Sequence, residues 1–489
     1  MQANPSMSFV GSARTLILAF TASTLLSACM VGPNFQRPAA PASQHYDAHA
    51  EQALTAADNA SAAPHVDLGK QINGDWWSTL GSAKLDGVMH KAIVGNFNLE
   101  AADATIAQAN EAVASAAGGL RPQVGFGAQG GRQRANYGAQ NITSSFYSVG
   151  PQVSFDPDIF GGTKRLVEER TALAQVQRQR FDAAYLTVTG DVATEALRLA
   201  SARAQIDAVQ VLIADDAKNL QLVRAAHHYG SATQVDVALA TTQLAQDQTL
   251  LPPLAQQRDV ARHALSILVG KGPADWTPPD FDLSDFIVPA NLPVSLPSEL
   301  ARERPDILAA EAQLHAASAA VGVATADMYP HLTLSASLTQ VGSGVGTLWG
   351  VAAGLAGPLY AGGTLKANRR ASIDNYNASL AQYQQTVVQS LGQVADVLQA
   401  INHDSDEYAA QERALNAADV SLKLNQQGYR VGETGVLDVL DAERSYERAL
   451  IGQIQAQTAR YLDTVQLSIA LGGNAGGAFE KRVAYREKP

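Results

Sequence analysis

Hydrophobic and polar positions in this chain follow two periods, and both recur in the same order. Residues 98–118 form an Ala-rich stretch of helical spacing that Pro122 ends. Next, Val124, Phe126 and Ala128 alternate with Gln and Gly. After a polar Asn/Gly/Ser segment, a second alternation passes through Tyr147, Val149, Val153 and Phe155. Period two is the spacing of a strand with one apolar face. Each stretch is close to the roughly 9–11 residues of a tilted membrane-crossing strand. Asp156-Pro157 and Gly161-Gly162 then break the pattern. From Thr163 to His228 there is no proline and one glycine, Gly190. This predicts one helix of roughly 100 Å at 1.5 Å per residue. That is far beyond an average globular helix, so it needs a coiled-coil-like or barrel wall. After a break at Tyr229-Gly230, helical spacing resumes near Asp236. A kink or split is predicted at Pro252-Pro253, and the pattern ends before Gly270-Lys-Gly-Pro273.

The series then repeats. Asp306–Ala326 matches Asn98–Gly118 at an offset of 208, with Pro330 on Pro122. Leu332, Leu334, Ala336 and Leu338 alternate with His331, Thr333, Ser335 and Ser337, and a second strand runs through Trp349, Val351, Ala353 and Leu355. Pro358 and Gly362-Gly363 match Pro157 and Gly161-Gly162 at an offset of 201. The first hairpin is therefore seven residues longer, a difference assigned to its outer loop. Gly392-Gln-Val-Ala matches Gly190-Asp-Val-Ala. Apolar positions from Tyr376 to Ile401 recur at a mean spacing near that of a straight helix. A last helix runs from about Val436 to Leu471, stopped by Gly472-Gly473. Two short turn segments also match. Aligning Gly230 with Gly432 puts Asp236 on Asp438 and Ala240 on Ala442. The chain reads as a tandem duplication. Its divisions are a signal segment over 1–28, an N-terminal tether over 29–75, a first repeat over 76–290, a second over 291–472 and a flexible tail over 473–489. A Pro-rich linker, 271–305, joins the two copies.

Composition narrows the function. Of 489 residues, 46% are apolar but only 6% aromatic, which suits long helices with small contact residues. The net charge of −11 argues against nucleic acid as a partner. No apolar run reaches the length of about 18 residues that a spanning helix needs. A membrane protein of this kind would span as a β-barrel. One copy supplies four strands, whose edges would be unpaired in hydrocarbon, so closure needs several copies. Three would give twelve strands, enough for an aqueous lumen, though the strand argument fixes oligomerisation more firmly than the number. The single cysteine, Cys29, excludes an internal disulfide and a CxxC site. Gly-x-Ser-x-Gly, HExxH and P-loop patterns are absent. His227 and His228 are helix neighbours that point about 100° apart, without a carboxylate pattern to complete a metal site. The chain reads as no enzyme and as needing no cofactor.

Several segments carry a family resemblance. Arg14, the apolar run Leu16–Leu26 and then Leu26-Ser-Ala-Cys29 are similar to a signal peptide ending in a bacterial lipobox. This implies cleavage before Cys29 and a covalent lipid on it. Met30, in place of Asp, implies the outer rather than the inner membrane. Val31-Gly-Pro-Asn-Phe-Gln-Arg-Pro38, Trp76-Trp77-Ser-Thr-Leu-Gly-Ser-Ala-Lys-Leu85 and Leu292-Pro-Val-Ser-Leu-Pro-Ser-Glu-Leu-Ala-Arg-Glu-Arg-Pro-Asp-Ile307 resemble outer-membrane efflux lipoproteins of the TolC family, OprM/NodT branch. Ser295 stands where that family is expected to have Gly. The resemblance implies an α+β fold: a trimeric 12-stranded transmembrane β-barrel, four strands per protomer, continued by a long periplasmic α-helical barrel. It implies the exit duct of a tripartite pump that exports drugs or small toxic metabolites. The partners would be two further copies, a periplasmic adaptor, an inner-membrane transporter of the RND type and outer-membrane lipid.

The implied gate lies in the matched turns. Asp438 and Asp441 are three apart on the last helix and share a face. Read as residues alone they are two solvated surface acids, as charged helix faces usually are. The resemblance places them at the periplasmic constriction, with Leu437 as the apolar constriction residue and Tyr429 and Asp236 as a tyrosine and its partner acid. Thr434 stands where TolC has an arginine, which implies a gate with fewer polar ties and more dependence on Leu437. A type I protein-secretion duct of the same fold is an alternative. A periplasmic coiled-coil scaffold lipoprotein is another, and it predicts no barrel.

Overall fold

The structure, a computed structural model, describes residues 30–486 apart from 48, 50, 52–53, 55–63, 73, 138–139 and 343–345. The signal segment and Cys29 lie outside the described residues. The chain groups into two compact units. One holds residues up to Pro38, Thr105–Gln177 and Ala309–Gln384, and the other holds Ala39–Ala104, Arg178–Leu308 and the remainder from Gln385.

The first unit contains a four-stranded antiparallel sheet in the order β2-β3-β5-β6. Strand β2 is Gln123–Tyr137, β3 is Gln140–Phe155, β5 is His331–Gly342 and β6 is Gly346–Ala356. The pairing places whole rows of one character on each face. Val124 pairs with Val153, Val153 with Ala336 and Ala336 with Val351. Directly opposite residues project to the same face, so this row is apolar throughout. The next row, Gly125, Gln152, Ser337 and Gly350, is small and polar and lies on the other face. The apolar face is open to the surroundings at Val124, Trp349 and Val351, which are 74%, 78% and 77% exposed. The seven additional residues of the first hairpin lie in its strands, not in an outer loop. Strands β2 and β3 have 15 and 16 residues, whereas β5 and β6 have 12 and 11. Strand pairing extends into the polar segment as far as Tyr137 with Gln140, because a ladder satisfies backbone groups whatever the side chains.

The chain enters this unit as an extended segment that is tied down along its length. The Val31 N–H donates to the Phe160 carbonyl at 3.1 Å. Arg165, 1% exposed, donates to the Val31 and Gly32 carbonyls at 3.1 and 3.3 Å, to Asn34 Oδ1 at 2.8 Å and to Glu168 at 2.7 Å. Phe35 stacks on His315 with centroids 4.4 Å apart, and Arg37 pairs with Glu311 at 2.7 Å. Gly32, at φ +91°, approaches Gly322 so closely that a Cβ would lie 2.5 Å from the Gly322 Cα. Thus the Val-Gly-Pro-Asn-Phe segment is specified by a buried cation that gathers its carbonyls. The Asp156-Pro157 break has a comparable cause. Asp158 accepts from the Thr163 and Lys164 N–H groups at 2.9 and 2.8 Å, which caps the helix that follows.

That helix, α3 (Gly162–His228, 67 residues), and its counterpart α8 (Thr364–Val431, 68 residues) contribute to both units. In chain order the other helices are α1 (Ala83–Gly95), α2 (Phe97–Gly118), α4 (Gln234–Gln248), α5 (Leu251–Leu268), α6 (Pro297–Glu303), α7 (Pro305–Ala326), α9 (Val436–Ala470) and α10 (Ala478–Arg486). The order helix, hairpin, long helix, helix therefore occurs twice, as α2-β2-β3-α3-α4 and as α7-β5-β6-α8-α9. The split predicted at Pro252-Pro253 falls just before them, between α4 and α5. These prolines occupy the first turn of α5, where their missing N–H groups cost nothing. Helix α7 has the length and apolar composition to cross a bilayer, which the apolar-run count did not anticipate; half of its most apolar stretch is buried inside the protein, as in a core helix.

In the second unit, β1 (His65–Leu68) pairs in parallel with β4 (Asn291–Val294). Val66, Leu292, Val294 and Leu300 join Val394, Leu398, Ile401 and Leu467 in one buried cluster. Trp76 and Trp77 are buried edge to face, 6.0 Å apart, as structural anchors. Gly190 of α3 lets α9 close in, since a Cβ there would sit 2.4 Å from Ile469 Cδ1. Two arginines close helix ends. Arg304 donates to the Ala470 carbonyl at 2.7 Å, at the end of α9, and pairs with Asp306 at 2.9 Å. Arg482 donates to the Ile93 carbonyl at 2.8 Å, at the end of α1, and pairs with Asp103. A cation at a helix C-terminus satisfies orphan carbonyls and opposes the negative end of the helix dipole. Arg482 also changes the picture of the tail. The segment after Gly473, expected to be flexible, is helical over Ala478–Arg486, with Arg482 1% exposed and Phe479 edge to face with Phe181 at 5.5 Å.

Replacing Arg304 with Ala is expected to cost about 1–3 kcal/mol, because it strips buried carbonyls of their donor. Arg304→Lys should recover less than half of the loss, since one ammonium cannot reproduce the guanidinium fork. Thermal unfolding followed by circular dichroism checks this; an unchanged midpoint for Arg304→Ala would refute the capping role.

Candidate functional site

The two matched turns are built alike. Helix α3 ends at His228, and Gly230 takes the left-handed conformation at φ +80°. Thr233 then caps α4. Its N–H and Oγ donate to Asp236 Oδ2 at 2.7 and 2.8 Å, while the Asp236 N–H returns to Thr233 Oγ at 3.2 Å. Helix α8 ends at Val431, and Gly432 takes φ +82°. The Gly435 N–H donates to Asp438 Oδ2 at 2.8 Å and opens α9. Asp236 and Asp438 thus hold the same position, the third residue of their helices. Asp236 completes a reciprocal capping box, whereas Gly435 has no side chain to return the bond. The Thr233 backbone and side-chain bonds hold the Asp236 carboxyl below the usual aspartate range.

Each predicted gate residue can now be placed. Leu437 is 59% exposed, and Asp438 and Asp441 are exposed beside it on the first turns of α9. The three point away from their own chain. Tyr429 is partly buried near the end of α8. Burial, then the nearby Asp236 carboxylate, push its phenol up. The structure therefore brings Tyr429 and Asp236 together from different helix pairs, and no hydrogen bond joins them among the described residues. Thr434 turns inward, and its Oγ donates to the Asn425 carbonyl at 3.0 Å. A Cβ on Gly428 would lie 2.9 Å from Thr434 Cγ2, so the glycine makes room for that return. Leu220, Val223 and Ala240 are buried behind these turns, with Val237, Leu244 and Val436 packed against them.

A group of polar residues behind the turns escaped the sequence reading. Asp216 and Asn219 of α3, Gln243 and Asp247 of α4, and Glu443 of α9 meet inside the bundle, with the exposed Arg444 of α9 at its edge. Asp216 is 5% exposed and Glu443 6%. Asn219 donates to Glu443, and Gln243 donates to both Asp247 oxygens at 3.0 and 3.1 Å. Arg444 Nε donates to Gln243 Oε1 at 2.7 Å. The signal was present in the sequence. Val209, Leu212, Asp216, Leu220 and Val223 are spaced 3, 4, 4 and 3, so Asp216 occupies a core position of the helix. Among the described residues, no group of His, Cys, Asp and Glu is arranged to hold a metal ion.

The sequence profile of outer membrane efflux proteins matches residues 88–271 and 296–473. The pyoverdine export outer membrane protein OpmQ of Pseudomonas aeruginosa is 30% identical over 415 residues, 81% of this chain and 87% of that protein. The cation efflux system protein CusC of Escherichia coli K12 is 25% identical over 469 residues, covering 94% of this chain and 99% of its own. The solved outer-membrane channel OprN superposes with a TM-score of 0.82 at 26% identity, over 91% of this chain and 99% of its own. These relatives are channel proteins, and the paired hairpins and long helices described above are the elements of their TolC-like fold. This chain belongs to the outer membrane efflux protein family and is an outer-membrane efflux channel.

Proposed function

We propose that three copies of this chain close a twelve-stranded barrel, with the turns carrying Leu437, Asp438 and Asp441 forming its periplasmic gate. The observation that carries this reading is the four-stranded sheet. Near its base an apolar row (Val124, Val153, Ala336, Val351) alternates with a small and polar row (Gly125, Gln152, Ser337, Gly350), and its outer strands β2 and β6 each pair on one side only. Bare strand edges are untenable in hydrocarbon, so neighbouring copies supply the missing partners. The apolar face with Val124, Trp349 and Val351 then meets lipid, and the face with Gln152 and Ser337 lines water. Four strands per copy admit several closures; the number three comes from the resemblance to the TolC family.

Gating follows from the exposed first turns of α9. Threefold repetition makes rings of Leu437, Asp438 and Asp441. Closely placed carboxylates repel one another and favour cations over anions. Asp438 is partly engaged as a helix cap, Thr434 is turned inward, and Tyr429 only neighbours Asp236. Such a gate has few polar ties and closes chiefly on Leu437. Opening is a shift of the helix pair α8 and α9, biased by a periplasmic adaptor that binds the open arrangement better. No nucleotide motif occurs in the chain, so the energy comes from an inner-membrane transporter, of the RND type in this reading. Relatives named for pyoverdine export and cation efflux support small molecules as cargo, rather than secreted proteins.

The reading includes a lipid anchor on Cys29. Met30 lies against Gly161, just after β3, where a Cβ would be 2.7 Å from Met30 Cγ. Met30 is therefore held at the foot of the hairpins, where a neighbouring lipid anchor is compatible with the barrel.

Three results are expected. Asp438→Ala with Asp441→Ala raises single-channel conductance of the purified trimer in planar bilayers; unchanged conductance removes the gate assignment. Val351→Arg costs about 2–4 kcal/mol of barrel stability at mid-membrane, whereas Gly350→Arg on the opposite face costs little. Heat-modifiable trimer yield measures both, and equal effects would contradict the assignment of faces. Palmitate labelling marks the wild-type protein and is lost in Cys29→Ala; equal labelling of both would exclude this anchor.

A further inference from the structure

We propose that the buried carboxyl cluster behind the gate is a proton-dependent lock, which holds α9 against α3 and α4 and so sets the position of the gate residues. This rests on the gate reading above. Glu443 begins two residues after Asp441, so the cluster grips α9 directly beyond its exposed first turns.

Two side-chain connections cross the helices. One runs directly from Asn219 of α3 to Glu443 of α9. The other passes from Arg444 of α9 to Gln243 and Asp247 of α4, and then to Asp216 of α3. The last link decides the chemistry. Asp216 Oδ2 and Glu443 Oε2 are buried, and no donor among the described residues reaches them. The Asp216 carboxyl instead faces Asp247, and two carboxylates in contact resist ionising together. Both Asp247 oxygens already accept from the Gln243 amide, whereas no donor among the described residues reaches Asp216 Oδ2. Asp216 is therefore the acid that keeps the proton and donates it to Asp247.

Burial first, then contact with Asp247 and the charges of Glu443 and Glu447, push Asp216 up to about 9. Burial pushes Glu443 up to about 6, opposed by its bonds to Asn219 and Gln426. The neighbouring cations are otherwise engaged. Lys218 of α3 pairs with Asp215 at 2.8 Å, and Lys423 of α8 pairs with Asp419 at 2.6 Å. Arg444 donates to the Gln243 amide, and Arg448 faces Glu447 with it. A cleft of about 900 Å³, bordered by Asp247, Arg444 and Glu447, gives water a route to the cluster.

The direction follows from linkage. A carboxyl raised in the folded state keeps its proton where the unfolded chain has lost it, above about pH 4. Its contribution to packing is complete below that value, declines as pH rises and is lost through about 9. Acid tightens the lock. Alkali ionises Asp216 against the Asp247 carboxyl, between α3 and α4.

The test compares full-length wild-type protein with Asp216→Asn, an isosteric side chain that still donates to Asp247 but cannot ionise. Wild-type conductance in planar bilayers should rise several-fold from about pH 7.5, above the range of Glu443, to about pH 9.5, while the ratio for Asp216→Asn should stay near one. At neutral pH, infrared difference spectra should show a protonated-carboxyl band in the wild type that Asp216→Asn lacks. Superimposable pH profiles, or no band, overturn the proposal. The variant Asp438→Ala with Asp441→Ala separates the two readings. If it leaves conductance unchanged while Asp216→Asn still flattens the wild-type rise, the gate assignment falls and the lock stands.

Discussion

Every backbone N–H and C=O that enters hydrocarbon must find a partner in protein, and the rest of this structure depends on that demand. The sheet of β2, β3, β5 and β6 satisfies it within each pair and leaves β2 and β6 open on their outer sides. The same demand explains why the strands tolerate Gly, Gln and Ser so freely. A ladder needs only backbone groups, which leaves the side chains free to serve lipid on one face and water on the other. It also accounts for the long first hairpin, whose additional residues extend the ladder instead of forming a loop.

Outside the sheet, buried arginines do the equivalent work. Arg165 collects carbonyls of the entering chain, Arg304 those at the end of α9, and Arg482 those at the end of α1. Each sits beside an acid that balances its charge: Glu168, Asp306 or Asp103. A removed partner in such a pair leaves a buried charge uncompensated, which costs more than the pair itself contributes. This gives a physical reason for Val31-Gly-Pro-Asn-Phe and Arg302-Glu-Arg-Pro-Asp306 as tightly specified stretches that carry no chemistry. They position chain, and the channel's work is done elsewhere.

The turns show one position used in two ways. At the third residue of α4 the acid completes a capping box with Thr233. At the third residue of α9 the box is half-built, because Gly435 has no hydroxyl. The α9 carboxylate is therefore less committed to its helix and freer to act toward neighbours. Behind it, Asp216, Asn219, Gln243, Asp247 and Glu443 form a polar patch beside the apolar contact of Leu220, Val223 and Ala240. Buried polar groups of this kind contribute specificity of arrangement more than stability, and their protonation makes that arrangement conditional.

Local periodicity by itself determined the kinds and order of the elements: the Ala-rich helices, the four alternating strands, the two very long helices and their turns. Period and proline placement act through neighbouring residues, so they are legible along the chain. The duplicated turns also match Asp236 with Asp438 within the sequence itself. Tertiary structure decided what depends on partners far away in sequence. The tail became a helix because Arg482 meets carbonyls near residue 93, and Phe479 meets Phe181. Thr434 turned inward because Gly428 leaves it room. Asp216 looked like one acid among many until α4 and α9 folded over it, since burial and the approach of like charges exist only in three dimensions.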